Sequence, residues 1–172
     1  LDKKFNLYIP QEEIESVIKN IANQINEDYK DKNPLFLVML NGAFMFASQL
    51  FKELSIDCET SFVKYSSYEG TQSTCEVKEL IGLNSSLEGR DIIIVEDIID
   101  SGFTMNCLLQ KLQTMKVASA KIATMLFKPN AFKFDYNIDY IGMNIGNEFI
   151  VGYGLDYNEH GRNYSSIYKV VE

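Results

Sequence analysis

Hydrophobic positions recur along this chain in two alternating rhythms. Ile14, Val17, Ile18, Ile21 and Ile25 fall at helical spacing, with Pro10 ahead of them and Asn33-Pro34 behind, which predicts a helix between those breakers. Residues 35–40 form a continuous apolar run that predicts a buried strand, turning at Asn41-Gly42 into a helix over 44–54. A strand of mixed alternation is expected at 58–64. The small, polar, glycine-containing stretch 65–74 predicts a loop or mobile hairpin, and 76–82 a returning strand. After a connector at 83–90 comes Ile92-Ile93-Ile94-Val95, four branched apolar residues expected in a strand buried on both faces. A helix over 104–116, a strand over 121–127 ended by Lys128-Pro129, and strands at 139–144, 149–151 and 167–171 complete the pattern. Such alternation predicts an α/β protein with a mainly parallel central sheet flanked by helices.

One of these strands leads straight into candidate chemistry. The run 92–95 is followed by Glu96-Asp97, then by Asp100-Ser101-Gly102-Phe103-Thr104, which opens the next helix. Open α/β sheets bind ligands beyond the carboxyl ends of their parallel strands. Hydroxyls and unpaired backbone N–H groups at a helix start make an anion site, while carboxylates suit sugar hydroxyls or a divalent metal. A phosphorylated sugar satisfies both halves. Asp100 or Ser101 as a plain helix N-cap is the structural alternative for this turn.

Composition narrows the setting. At 172 residues and 46% hydrophobic content, the chain is sized for one globular domain spanning 1–172 and is not of disordered composition. A net charge of −8 argues against a nucleic-acid surface and makes a polyanionic substrate workable only through divalent cations, so Mg²⁺ dependence is expected. Cys58, Cys75 and Cys107 are widely spaced without a CxxC, so neither a disulfide scaffold nor a zinc site is expected. His160, the single histidine, excludes a multi-histidine metal centre and reads as a loop residue. No apolar run approaches transmembrane length, so no membrane partner and a cytoplasmic location are expected.

The run VEDIIDSGFT at 95–104 resembles the phosphoribosyl pyrophosphate motif of the purine phosphoribosyltransferases, in their hypoxanthine-guanine branch. Phe149-Ile150-Val151-Gly152-Tyr153-Gly154-Leu155-Asp156-Tyr157 resembles the purine-binding segment of that branch, and Arg162 follows where an arginine is expected. Leu40-Asn41-Gly42-Ala43 resembles its pyrophosphate loop, and Ser67-Tyr68 the start of its mobile lid. The matches keep the family's order and span most of the chain. The resemblance implies the type I phosphoribosyltransferase fold, with a core over about 11–130 and a purine-binding hood over about 131–172 together with the N-terminal residues. It implies transfer of a 5-phosphoribosyl group from phosphoribosyl pyrophosphate to hypoxanthine or guanine, with xanthine a further candidate, and a homo-oligomer, dimer or tetramer.

The resemblance also distributes roles. Glu96 and Asp97 would grip the ribose hydroxyls, directly or through Mg²⁺, and Asp156 would hold a second Mg²⁺. Asp100, Ser101, Gly102, Phe103 and Thr104 would bind the 5′-phosphate, with Asp100 also the general base at purine N7. Asn41, Gly42 and Arg162 would contact pyrophosphate, with a non-proline cis peptide expected at Leu40–Asn41. Ser67 and Tyr68 would begin the lid. Ile98, Asn137, Phe149, Ile150, Leu155 and Asp156 would form the purine pocket, Phe149 stacking on the base and the Ile150 backbone reading its edge. The family's 6-oxo-binding lysine is matched to Asn137 by counting back from Phe149, and Lys133 is a possible substitute. The sequence departs from the family twice more, with Phe103 and Asn41 where lysine is common. A non-catalytic nucleotide-binding regulator on the same fold, and an acidic-motif phosphatase or receiver domain, are the competing classes.

Overall fold

The computed structural model describes residues 3–67, 77–81 and 86–171. In chain order the elements are β1 (Lys4–Ile9), α1 (Gln11–Asp28), β2 (Leu35–Met39), α2 (Phe44–Glu53), β3 (Glu59–Ser67), β4 (Val77–Ile81), β5 (Asp91–Ile99), α3 (Phe103–Thr114), β6 (Ser119–Phe127), β7 (Tyr140–Asn144), β8 (Ile150–Val151) and β9 (Ile167–Val171).

The main sheet has the order β4-β3-β2-β5-β6-β7. β3, β2, β5, β6 and β7 run parallel, and β4 is antiparallel to β3 at the edge. β5 is a central strand between β2 and β6, and Ile92, Ile93, Ile94 and Val95, which alternate between its two faces, are all buried, so both faces are covered. That is why the stretch is apolar without alternation. The helical face of α1 read from the sequence is the buried one, with Ile14, Ile18, Ile21 and Ile25 in the core. The α2 ring Phe46 joins them, while Phe44 stays exposed.

A second, antiparallel sheet of order β1-β9-β8 joins the two chain ends as the expected hood. The sequence pattern does not announce β1, because most of its positions keep solvent contact and only Ile9 is buried. Two further differences concern extent. β3 continues to Ser67 by pairing with β4, where a loop is expected from residue 65. β7 pairs with β6, so the main sheet runs past residue 130. Cys58 is a free thiol, whereas Cys107 on α3 is disulfide-bonded, which wide cysteine spacing does not predict.

The register sets the position of the site. Val38 of β2 pairs with Val95 of β5, and Ile99 pairs with Phe127 of β6. The carboxyl ends of β2, β5 and β6 therefore open toward one side. Every loop that leaves them starts there.

Candidate active site

β5 does not stop where its apolar run stops. Glu96 and Asp97 are strand residues, Glu96 paired with Thr124, and the strand ends at Ile99. Asp100 and Ser101 then bend the chain, and Gly102 caps α3 in the left-handed conformation, φ 83°. A side chain there would be strained. No side-chain hydrogen bond caps this helix, so neither Asp100 nor Ser101 acts as a conventional N-cap. The Phe103 N–H makes only a long contact, 3.4 Å, with Ser101 Oγ. A cavity of about 160 Å³ opens at this turn, lined by Glu96, Ile98 and residues 99–105. Ser101, Gly102, Phe103 and Thr104 are thus brought to one concavity with both acids of positions 96 and 100. Unpaired amides and a positive helix end favour an anion in it.

Asp97 points the other way, toward the loop after β2. A Cβ placed on Gly42 would overlap the Asp97 carboxylate, and one placed on Gly154 would overlap the Gly42 carbonyl. Only glycine permits this three-way approach of the loop, the strand end and the hood. Positive φ at Gly152, Tyr153 and Gly154 curls the hood backbone into reach. The Leu40–Asn41 peptide is cis, as expected.

Asp97 is only 9% exposed, and its Oδ1 accepts from the Ile98 N–H at 2.8 Å. Glu96 Oε1 accepts from the Asp97 N–H at 3.2 Å. Burial holds both carboxyls above their ordinary range, Glu96 well above, and the Asp97 charge raises Glu96 further. Arg162 draws Asp97 down at a distance, but among the described residues neither acid forms an ion pair with lysine or arginine. Arg162 itself is held by Asp156 at 2.7 Å, by the Gly154 carbonyl at 2.9 Å and, more loosely, by Glu159 at 3.5 Å. Two adjacent hard oxygen donors without a protein counter-cation fit Mg²⁺, which is commonly bound by one or two carboxylates plus substrate phosphates. Among the described residues no group of three or more acidic, histidine or cysteine side chains forms a closed metal cage. Asp156 instead bonds Arg162 at 2.7 Å and accepts from the Glu159 N–H at 2.8 Å.

On the other flank, Asp100 is 57% exposed and bonds Lys128 Nζ at 3.0 Å, with the Lys128 side chain only 11% exposed. Lys128 follows β6 directly, and its N–H donates to the Ile99 carbonyl at 2.9 Å, which fixes the lysine beside the end of β5. Counting back from Phe149 misses it. Asn137, chosen that way, is exposed, contacts Asp139 at 3.4 Å and lines a different concavity with Asn23, Gln24, Lys121 and Tyr140. The structure does not bring Asn137 to Asp100. Lys133 is exposed too, and it meets the turn through its backbone, the N–H donating to the Ser101 carbonyl. The signal that could have found Lys128 is the Lys-Pro pair closing a buried strand parallel to β5.

The hood segment holds its expected residues together. Phe149 is 50% exposed and meets Tyr157 edge-on at 5.7 Å, with the Lys3 ammonium 5.7 Å from its ring centre. Ile150 and Leu155 are buried. Ile150 pairs with Lys169 of β9, and the flanking bond runs from the Val170 N–H to the Phe149 carbonyl. This marks Ile150–Lys169 as a non-hydrogen-bonded pair, so the Ile150 N–H and C=O face away from β9 and stay available. Of the lid residues, Ser67 ends β3 and Tyr68 lies outside the described residues.

Residues 9–158 match the family model of the phosphoribosyl transferase domain. The hypoxanthine-guanine phosphoribosyltransferase of Staphylococcus epidermidis is 42% identical over 159 residues, covering 92% of this chain and 89% of that one. Its Bacillus subtilis counterpart is 42% identical over 156 residues, covering 90% and 87%. Among solved structures, a hypoxanthine phosphoribosyltransferase from Staphylococcus aureus superposes with a TM-score of 0.92 at 38% identity, covering 99% of this chain and 92% of that one. A hypoxanthine-guanine phosphoribosyltransferase from Bacillus anthracis gives 0.91 at 35%, covering 99% and 98%.

Proposed function

We propose, since the chain belongs to the hypoxanthine-guanine phosphoribosyltransferases, that it salvages 6-oxopurines. It transfers the 5-phosphoribosyl group of phosphoribosyl pyrophosphate to hypoxanthine or guanine, giving IMP or GMP and pyrophosphate. The observation that carries this reading is the Asp100–Lys128 pair at the mouth of the anion cavity, 3.0 Å apart. A 6-oxopurine presents its O6 and N7 side by side on one edge. An ammonium and a carboxylate in contact match that edge, the lysine donating to O6 and the carboxylate receiving the N7 proton. A 6-amino group would meet the Lys128 donor with a donor, which argues against adenine.

In the reaction the bond from the anomeric carbon to the pyrophosphate oxygen breaks, its electrons leaving with pyrophosphate. A purine ring nitrogen forms the new bond at that carbon as N7 gives its proton to Asp100. Cationic character on the ribose ring is expected between these events, as in glycosyl transfer. The amides of residues 101–104 hold the 5′-phosphate at the positive end of α3, and Phe149 stacks on the base while the free Ile150 backbone reads its edge. Glu96 and Asp97 hold the ribose hydroxyls and, when bound, Mg²⁺, which supplies positive charge for the leaving pyrophosphate. Asn41, Gly42 and Arg162 are assigned to pyrophosphate, Asp156 to steadying Arg162 and a second Mg²⁺, and Ser67 and Tyr68 to the lid.

A regulator without catalysis is not favoured, because it would need no acid poised at N7. A cytoplasmic location is part of this proposal, since the highly charged donor does not cross membranes. Among the described residues no helix is long and apolar enough to span one. Exposed Phe44 and Phe62 support assembly into a dimer or tetramer, which sedimentation would measure. The activity itself is tested by a spectrophotometric assay with phosphoribosyl pyrophosphate, Mg²⁺ and each purine in turn. Turnover of hypoxanthine and guanine but not adenine is expected, and no turnover of any 6-oxopurine would refute the proposal.

A further inference from the structure

Three carbonyls of the turn between β5 and α3 are bonded from a single neighbouring segment, residues 128–136. The Lys128 N–H donates to the Ile99 carbonyl at 2.9 Å, the Lys133 N–H to the Ser101 carbonyl at 3.1 Å, and the Tyr136 hydroxyl to the Gly102 carbonyl at 2.8 Å. In a trans peptide the C=O and the following N–H point in opposite directions within one rigid plane. Fixing these carbonyls therefore fixes the N–H vectors of Asp100, Gly102 and Phe103. Tyr136 is the single side chain among the three donors.

Gly102 makes the arrangement possible. A Cβ there would stand 2.5 Å from Phe132 and 2.6 Å from the Tyr136 oxygen, so the Phe132 ring and the Tyr136 hydroxyl lie directly against the bare backbone. The Tyr136 ring is itself held edge-on by Phe132 at 5.0 Å and stacked on Phe134 at 6.0 Å. The Gly102 carbonyl also receives the first bond of α3, from the Asn106 N–H at 3.0 Å. Two donors on one oxygen leave its peptide plane little freedom. With no side chain capping α3, its first amides keep no cap acceptor, and this outside bond fixes the peptide plane that carries the Phe103 N–H.

We infer that Tyr136 is a positioning residue for phosphate recognition: its hydroxyl, by holding the Gly102 carbonyl, aims the Phe103 N–H into the anion cavity at the start of α3. Preorganised amides bind an anion without first paying the entropy of ordering. This rests on the transferase reading and refines it, since the residue touches no substrate. Burial, and then the Glu96 charge, raise the Tyr136 phenol above its usual range, so the donor proton is kept at neutral pH.

Tyr136→Phe removes the hydroxyl and leaves the ring packed against Phe132 and Phe134. The bond exists in the free enzyme too, so what its loss costs in binding is the re-ordering of the amide, about threefold to tenfold in affinity. Calorimetric titration with IMP is expected to show that loss. The KM for phosphoribosyl pyrophosphate should rise by the same factor while the KM for hypoxanthine stays where it is, and the thermal midpoint should fall by no more than about 2–4 °C. Unchanged IMP affinity would overturn the inference, as would equal losses for both substrates with a midpoint lowered beyond that, the mark of a merely structural residue. If the wild-type enzyme bound no IMP, the transferase reading would fall and the inference with it.

Discussion

The phosphate side of the proposed site comes from one continuous stretch, residues 96–104, whereas the residues proposed for the purine and the pyrophosphate are gathered from separate places. Lys128 arrives from the end of β6, Phe149 and Ile150 from the edge of the hood, and Arg162 with Asp156 from the loop before β9. Their electrostatics differ as well. Glu96 and Asp97 are carboxylates pushed together out of solvent and held above their ordinary proton affinity, while Asp100 is open to water and already matched by a lysine. A continuous stretch encodes its geometry in its spacing. An assembled one encodes it in the sheet register, which spacing does not reveal.

The comparison is broken most severely at Asp100. Asp100→Asn should lower kcat by about 10²–10⁴-fold, the usual worth of a general base, with the thermal midpoint nearly unchanged because the side chain is exposed. Steady-state rates beside a melting curve check both parts. Next in size is Lys128→Met. Hydrogen bonds to charged groups are worth about 1.5–3 kcal/mol, so kcat/KM for hypoxanthine should fall roughly 10- to 150-fold. Asn137→Ala, made in parallel, should stay within about twofold. If the two variants exchanged these results, the assignment of the 6-oxo contact to β6 would be wrong. Phe149→Leu should raise the purine KM by about tenfold, toward the low end of base–aromatic stacking energies, and leave the KM for phosphoribosyl pyrophosphate alone.

The smallest effect is on stability, and its sign is opposite. A carboxyl whose folded pKa lies above its unfolded value binds more protons when folded, so stability falls as pH rises through that window. For Glu96 and Asp97 the window opens at the ordinary carboxylate range and extends upward. The metal-free protein should therefore lose stability as pH rises from about 4.5. Glu96→Gln should raise its midpoint at neutral pH by roughly 2–4 °C while weakening activity. Added Mg²⁺ should stabilise the wild type and barely affect the variant. Melting curves across pH, with and without Mg²⁺, decide it.

Much of the architecture was readable because its cause is local. Four branched residues without alternation can only be covered on both faces, and the α1 isoleucines fall at helical spacing on one buried face. β1 was not readable, since its exposed positions acquire meaning only beside β9, more than 150 residues along the chain. In the site, residues 96–104 carried their own order. Lys128 did not, because what makes it a candidate is the pairing of Ile99 with Phe127, which sets it beside Asp100. The support behind Gly102 was hidden for the same reason: Tyr136 is 34 residues away and acts through one hydroxyl.

The most direct test of the account is a crystal structure of the enzyme with IMP. The 5′-phosphate should sit on the backbone nitrogens of residues 101–104, with the hypoxanthine O6 against Lys128 Nζ and N7 facing Asp100. A phosphate seated elsewhere, or an O6 turned toward Asn137, would contradict it.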